Sequence, residues 1–215
     1  FILGLPYETT EDAAGIGELA EKMADVYFGI PKDVRNKGLK ITVSTSILVP
    51  KPFTPFQWAP MARPEIVDER IKAVRGAIKS RSIVYNYHEQ ETSFMEAVFA
   101  RGDRRTCDVL IKAFEKGAKF DGWSEYFNME IWNEAMEECN LDSEFYVYRE
   151  REYDEILPWD FIDIGVNRKY MERENEKAKK AELTKNCLEG CTGCGINVNF
   201  KEGKCFEGAI RNQVF

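Results

Sequence analysis

The first 88 residues alternate between two hydrophobic periods, and this restricts the chain more than any other feature. Phe1-Ile2-Leu3 is an apolar run that stops at Gly4-Leu5-Pro6, which reads as the end of a buried strand meeting a turn. Thr9-Thr10-Glu11-Asp12 then offers a capping hydroxyl and acids suited to the positive end of a helix. Ala13, Ile16, Leu19, Ala20, Met23 and Tyr27 continue at helical spacing. Leu39 to Val49 is rich in β-branched residues and reads as a strand on Ile41, Val43 and Ile47. Pro50, Pro52, Pro55 and Pro60 exclude regular structure from PKPFTPFQWAP. A helix from Pro64 to Lys79 follows, with Ile66, Ile71, Val74 and Ile78 as its apolar stripe, and then a short strand from Ser82 to Tyr87. Strand, helix, strand, helix, strand is the grammar of βα units on a parallel sheet, so the expected fold class is α/β.

The second half changes character. Glu91 to Ala100, Arg104 to Lys116 and Met129 to Glu138 read as amphipathic helices, and Asn167 to Glu182 as a charged helix facing solvent. The expected division is residues 1–88 as the strand–helix part, 89–182 as a helical extension and 183–215 as a Cys-rich tail. At 215 residues with 44% hydrophobic composition, the chain carries enough apolar material for a core, which excludes general disorder. A net charge of −7 argues against broad nucleic-acid binding, and no run approaches the ~20 apolar residues of a membrane helix. Six cysteines are too few for a disulfide-dense secreted scaffold, so a reducing, cytoplasmic setting is expected. The opening FILGLPYETT has no Met and no basic leader region and reads as the middle of a domain, so the chain is expected to be the back part of a longer protein.

Four cysteines cluster as Cys187, Cys191, Cys194 and Cys205, in the spacing C-x3-C-x2-C-x10-C with glycines between them. Four thiolates on a glycine-rich segment suit an all-cysteine zinc site or an iron–sulfur cluster. Two disulfides or free thiols are the plainer alternative. The solitary fourth cysteine departs from the paired C-x2-C of a zinc ribbon and tilts the reading toward a cluster. The single histidine, His88, lies far away and reads as an ordinary surface residue at a strand end.

Polar candidates for a substrate are Arg101, Asp103, Arg104 and Arg105, whose guanidinium forks match phosphate or carboxylate, together with Asp121 and Trp123 in a loop. Their structural alternative is a helix start in which Asp103 caps and the arginines pair with acids, and a loop anchored by its tryptophan. Trp159-Asp160 invites the same two readings.

Gly4-Leu5-Pro6-Tyr7-Glu8-Thr9 resembles the GLPxET turn found late in the barrel of radical S-adenosylmethionine (SAM) enzymes. The run into Val49-Pro50-Lys51-Pro52-Phe53-Thr54-Pro55-Phe56-Gln57-Trp58 resembles the last barrel strand and exit loop of those enzymes, in a form shared with the methylthiotransferases. Ala100-Arg101-Gly102-Asp103-Arg104-Arg105, Phe120-Asp121-Gly122-Trp123 and Leu157 to Val166 resemble a narrower group, uncharacterised radical SAM Fe–S oxidoreductase-type proteins with a cobalamin-binding-like domain before the barrel. The resemblance implies the C-terminal part of a (β/α)6 partial barrel in which a [4Fe–4S] cluster holds SAM and cleaves it reductively to a radical, with cobalamin as a further cofactor. It implies a cofactor-binding role for Gly4, Pro6 and Glu8 at one strand end and for Val49 and Pro50, which match positions bordering the adenine; the plainer reading of Gly4 to Pro6 is a tight turn without a ligand. The family's cluster-binding C-x3-C-x2-C near the barrel's start is absent from this sequence, so this chain alone is expected to be inactive, and the C-terminal cysteines read as a separate metal site. The substrate stays open, RNA or protein included. The competing reading is a non-catalytic, zinc-stabilised binding module that recruits a partner such as RNA through a basic groove around Arg101 to Arg105 and Lys177 to Lys185.

Overall fold

The computed structural model of the protein describes residues 1–36, 38–187 and 189–199. The chain forms two compact units, Phe1–Val49 with Pro60–Arg149, and Pro50–Ala59 with the chain from Glu150 onward. These borders differ from those expected after residues 88 and 182, because the helices that follow residue 88 share one core with the strands.

The first unit is mixed α/β. Strands β1 (Ile2–Leu3), β2 (Ile41–Ile47) and β3 (Ile83–Tyr87) form a parallel sheet in the order β1-β2-β3. Ile2 pairs with Ser46, Thr42 with Val84 and Ser44 with Asn86. Helix α1 (Thr10–Gly29) starts on a capping box in which the Thr9 hydroxyl accepts from the Asp12 amide while the Asp12 carboxylate accepts from Thr9 N–H. It buries Ala13, Gly17, Ala20 and Ala24, whereas Leu19 and Met23, expected in its apolar stripe, are 46% and 56% exposed. The cause is close approach to α2 (Pro64–Ala77): a Cβ on Gly17 would stand 2.6 Å from the Val74 carbonyl oxygen and 2.8 Å from Ala77 Cβ. Only the face made of small residues fits there, so the bulky side chains turn outward. On α2 the same rotation puts Val67 in the core and leaves Ile66 exposed.

Helices α3 (Gln90–Arg101), α4 (Thr106–Glu115), α5 (Met129–Glu138) and α6 (Ser143–Val147) complete this unit. Met95, Val98, Val109, Trp132 and Val147 join Leu3, Ile47, Val67 and Val74 in one apolar cluster. Each fully buried valine or leucine here contributes about 1.5–3 kcal/mol relative to exposure. The short α6 carries no clear sequence signal beyond Asp142, whose carboxylate accepts from the Phe145 amide at its start.

In the second unit a single 3-10 turn (Pro55–Trp58) stands within the proline-rich segment expected to lack regular structure. Proline removes amide donors but its fixed φ suits a tight helical start. Trp58, Leu157, Trp159 and Met171 form a compact core. Helix α7 (Arg168–Lys179), expected to face solvent throughout, buries Met171 and Asn175 on one side, and α8 (Ile196–Asn199) follows in the tail.

Candidate functional site

The two faces of the parallel sheet differ in chemistry. Val43, Thr45 and Ile47 of β2 are buried toward the helices, while Thr42 and Ser44 are exposed and Ser46 half-buried. Through the strand register, Ile2, Val84 and Asn86 share that second face, with Ile2 46% and Val84 43% exposed. Sheets made only of parallel strands are nearly always covered on both sides. Here helices cover one side, and the other presents hydroxyls, an amide and two aliphatic side chains.

The turn after β1 lies at the carboxyl ends of the strands, where α/β folds place ligands. Gly4 has φ +77°, and a Cβ there would come within 3.0 Å of Ala62 Cβ and 4.0 Å of Ile47, so glycine keeps this strand end packed against β2. Its N–H donates to Glu8 Oε2 at 2.9 Å. Arg70 of α2 reaches back, with Nε 3.5 Å from that carboxylate oxygen and Nη2 donating to the Glu8 carbonyl at 3.0 Å. Burial pushes the Glu8 carboxyl upward, and the Gly4 amide and Arg70 charge oppose that shift. Pro6 is half-buried in the same turn. Val49 is buried in the helical cluster, and Pro50, the first residue of the second unit, is buried too. The side chain of Val49 is therefore occupied by the core, and only its main chain is left for a ligand on the open side.

Of the substrate candidates, the structure joins Asp103 and Arg105. Arg105 Nε and Nη2 donate to the Asp103 carboxylate at 2.7–3.1 Å, and Tyr146 OH donates to the same carboxylate at 2.9 Å. The Arg105 guanidinium, chiefly through these hydrogen bonds, holds the Asp103 carboxyl well below the usual carboxylate range. Asp103 also accepts from the Arg105 amide ahead of α4, as a structural cap would. Arg101 is fully buried, its Nε donating to the Tyr146 carbonyl at 2.9 Å, while Arg104 is exposed. Asp121 and Trp123 stand on a different loop, between α4 and α5. Trp123 is 58% exposed with its ring edge-on to Phe120, and Asp121 Oδ1 is buried with no hydrogen-bond partner among the described residues. His88 is exposed, its N–H donating to the Thr45 carbonyl. Trp159 Nε1 donates to Gln57 Oε1 at 2.7 Å, and Asp160 accepts from the Leu157 amide and from Arg168. The Trp-Asp pair at 159–160 thus fastens its own unit.

In the tail, Cys187 and Cys191 are exposed and Cys194 is half-buried, with the Cys194 carbonyl accepting from the Asn167 amide at 2.7 Å. Among the described residues no three His, Cys, Asp or Glu side chains converge into a metal-holding group. The fourth candidate ligand, Cys205, lies outside the described residues.

No family model matches the chain. No solved structure matches it either. Over 110 residues it is 27% identical to the uncharacterized protein MJ0966 of Methanocaldococcus jannaschii, covering 51% of this chain and 22% of that relative. The chain therefore spans about a fifth of the length of the curated relative it matches. Among the described residues no helix is long and apolar enough to cross a membrane.

Sequence reasoning overlooked Arg70 and Gln57. Arg70 sits at a polar position of an ordinary amphipathic helix, and only the fold reveals its reach to Glu8. Gln57 is flanked by prolines and aromatics, and its partner lies 102 residues away. For Arg70 the legible hint was Glu8 in a turn otherwise made of apolar and small residues, a carboxylate in need of a counter-charge.

Proposed function

We propose that this chain is the rear portion of a radical SAM barrel enzyme, contributing β1–β3 to the barrel wall and α3–α6 to an extension. The observation that carries this reading is the face of a parallel sheet, its strands in chain order, on which Thr42, Ser44, Val84 and Asn86 are exposed. Thr42, Ser44, Ser46 and Asn86 suit the lining of a cavity that further strands close on the far side. In this reading the open edge of β1 accepts the preceding strand, and Gly4, Pro6 and Glu8 at its end, with the main chain at Val49, border the nucleoside. SAM and a [4Fe–4S] cluster held elsewhere in the longer protein supply the radical chemistry. This chain's own residues shape the cavity, hold its rim through Glu8 and Arg70, and keep bulk water from one side of it.

The test is the longer protein, purified and reduced without oxygen in the presence of SAM. Formation of 5′-deoxyadenosine supports the reading, and its absence from a protein shown to carry the cluster overturns it. The partner-binding alternative needs an open basic groove. Arg101 is interior, Arg105 is engaged by Asp103, and Lys177 and Lys179 lie against Glu174 and Glu176, so no observation favours it.

A further inference from the structure

A cavity of about 380 Å³ opens in the first unit on the helix-covered side of the sheet, the side toward which Ile47 points. That volume lies within the range of small-molecule sites, roughly 300–1,000 Å³. The cavity is separate from the open strand face, so a ligand held in it is independent of the radical-enzyme reading. Its walls are predominantly apolar. Met61 and Met129 line it, and so do Phe94 and Tyr148, whose rings stack with centroids 5.8 Å apart and planes 30° from parallel. Flexible thioethers beside stacked rings adapt well to a flat apolar guest.

The charged side chain among the lining residues is an acid, Glu91, exposed at the mouth. The nearby cation, Arg63, is already engaged, its guanidinium 3.0 Å from Glu144 and over the Tyr148 ring at 4.7 Å. A guest with a negative charge would meet Glu91 without a free counter-charge. A guest with a positive charge would find the Glu91 carboxylate.

We propose that this cavity binds a small aromatic amine, its flat body between Met61, Met129 and the Phe94–Tyr148 pair and its ammonium group at Glu91. The test uses three indoles of similar body on the whole chain: tryptamine, neutral indole and indole-3-propionate, followed by calorimetry and by the methyl resonances of Met61 and Met129. Tryptamine should bind saturably and shift both methionine methyls, about tenfold more tightly than the propionate, as expected for one screened charge pair. Glu91→Gln, at an exposed position, should erase the preference while leaving indole binding unchanged. Absence of methionine shifts overturns the site, and equal affinity for amine and acid, or an undiminished preference in E91Q, overturns the ligand class. None of these outcomes bears on 5′-deoxyadenosine formation, so failure here is distinguishable from failure of the enzyme reading.

Discussion

Arg70 and Glu8, 62 residues apart, meet at the carboxyl end of the sheet, with Glu8 also accepting the Gly4 amide. The pair ties α2 to the turn after β1, so the geometry of the strand end depends on a helix that follows the next strand. Both side chains are largely buried, 12% and 8% exposed, and burial dominates the shift of Glu8 upward. A carboxyl whose folded pKa is raised favours the folded state while protonated and loses that contribution as pH rises. The contribution of Glu8 to stability should therefore decline as pH rises above the ordinary Glu range. Arg70→Ala removes a charge that holds Glu8 down, so its thermal midpoint should fall more steeply over the same rise in pH. It should also cost about 1–3 kcal/mol near neutrality. Parallel pH profiles for the two proteins would refute this.

Asp103 behaves in the opposite sense. Its carboxyl is held low by Arg105 and Tyr146, so its contribution is complete above the ordinary Asp range and disappears as pH falls through about 4 and below. Asp103→Asn should flatten the acid limb of the stability curve. Denaturant titrations at several acid pH values would reveal an unchanged limb if the contact were inert.

Gly17→Ala places a methyl against the Val74 carbonyl, where no flexible side chain can yield. We expect a loss of about 1–3 kcal/mol from overpacking, despite the better helix propensity of alanine. Gly15→Ala, with open space around it on the same helix, should be neutral or stabilising by chemical denaturation.

Gln57→Leu keeps the volume but leaves Trp159 Nε1 without its acceptor in the interior. About 1–3 kcal/mol should be lost, seen as a lower denaturation midpoint with unchanged slope.

For the tail we expect metal bound by Cys187, Cys191, Cys194 and Cys205. Anaerobically purified protein should carry either iron with sulfide or about one equivalent of zinc, lost in Cys191→Ser. Metal analysis giving neither, with thiols fully reactive, would remove the site.

What could be read from the sequence, and what could not, divides along physical lines. Strand β2 was legible because β-branched residues and a period of two both mark it. The start of α1 was legible because Thr9 and Asp12 act locally. Its buried face was not: Leu19 and Ala20 both fall on helical spacing, and only the approach of α2 at Gly17 selects the small residues. Position 88 looked like a boundary because the hydrophobic period changes there. The change is real, yet Met95 and Val98 enter the same core as Leu3 and Val74. At the candidate site, Gly4 and Glu8 were noticed for their place in the turn, whereas Arg70 was silent because nothing local distinguishes it from a solvated helix arginine. Arg101 invited both an anion-ligand and a structural reading, and nothing in the sequence marked it as interior. Its burial arises from α6, an element with no pattern of its own.

The membership of Pro50–Ala59 in the second unit, with first-unit chain on either side of it, has a temporal meaning. Gln57 and Pro55 find their partners at Trp159 and Asn175, 102 and 120 residues downstream. During synthesis the whole of Pro60–Arg149 emerges before those partners exist. The first unit can condense early on the ribosome, whereas the buried indoles of the second wait as solvent-exposed bait for chaperones until Met171 and Asn175 have been translated.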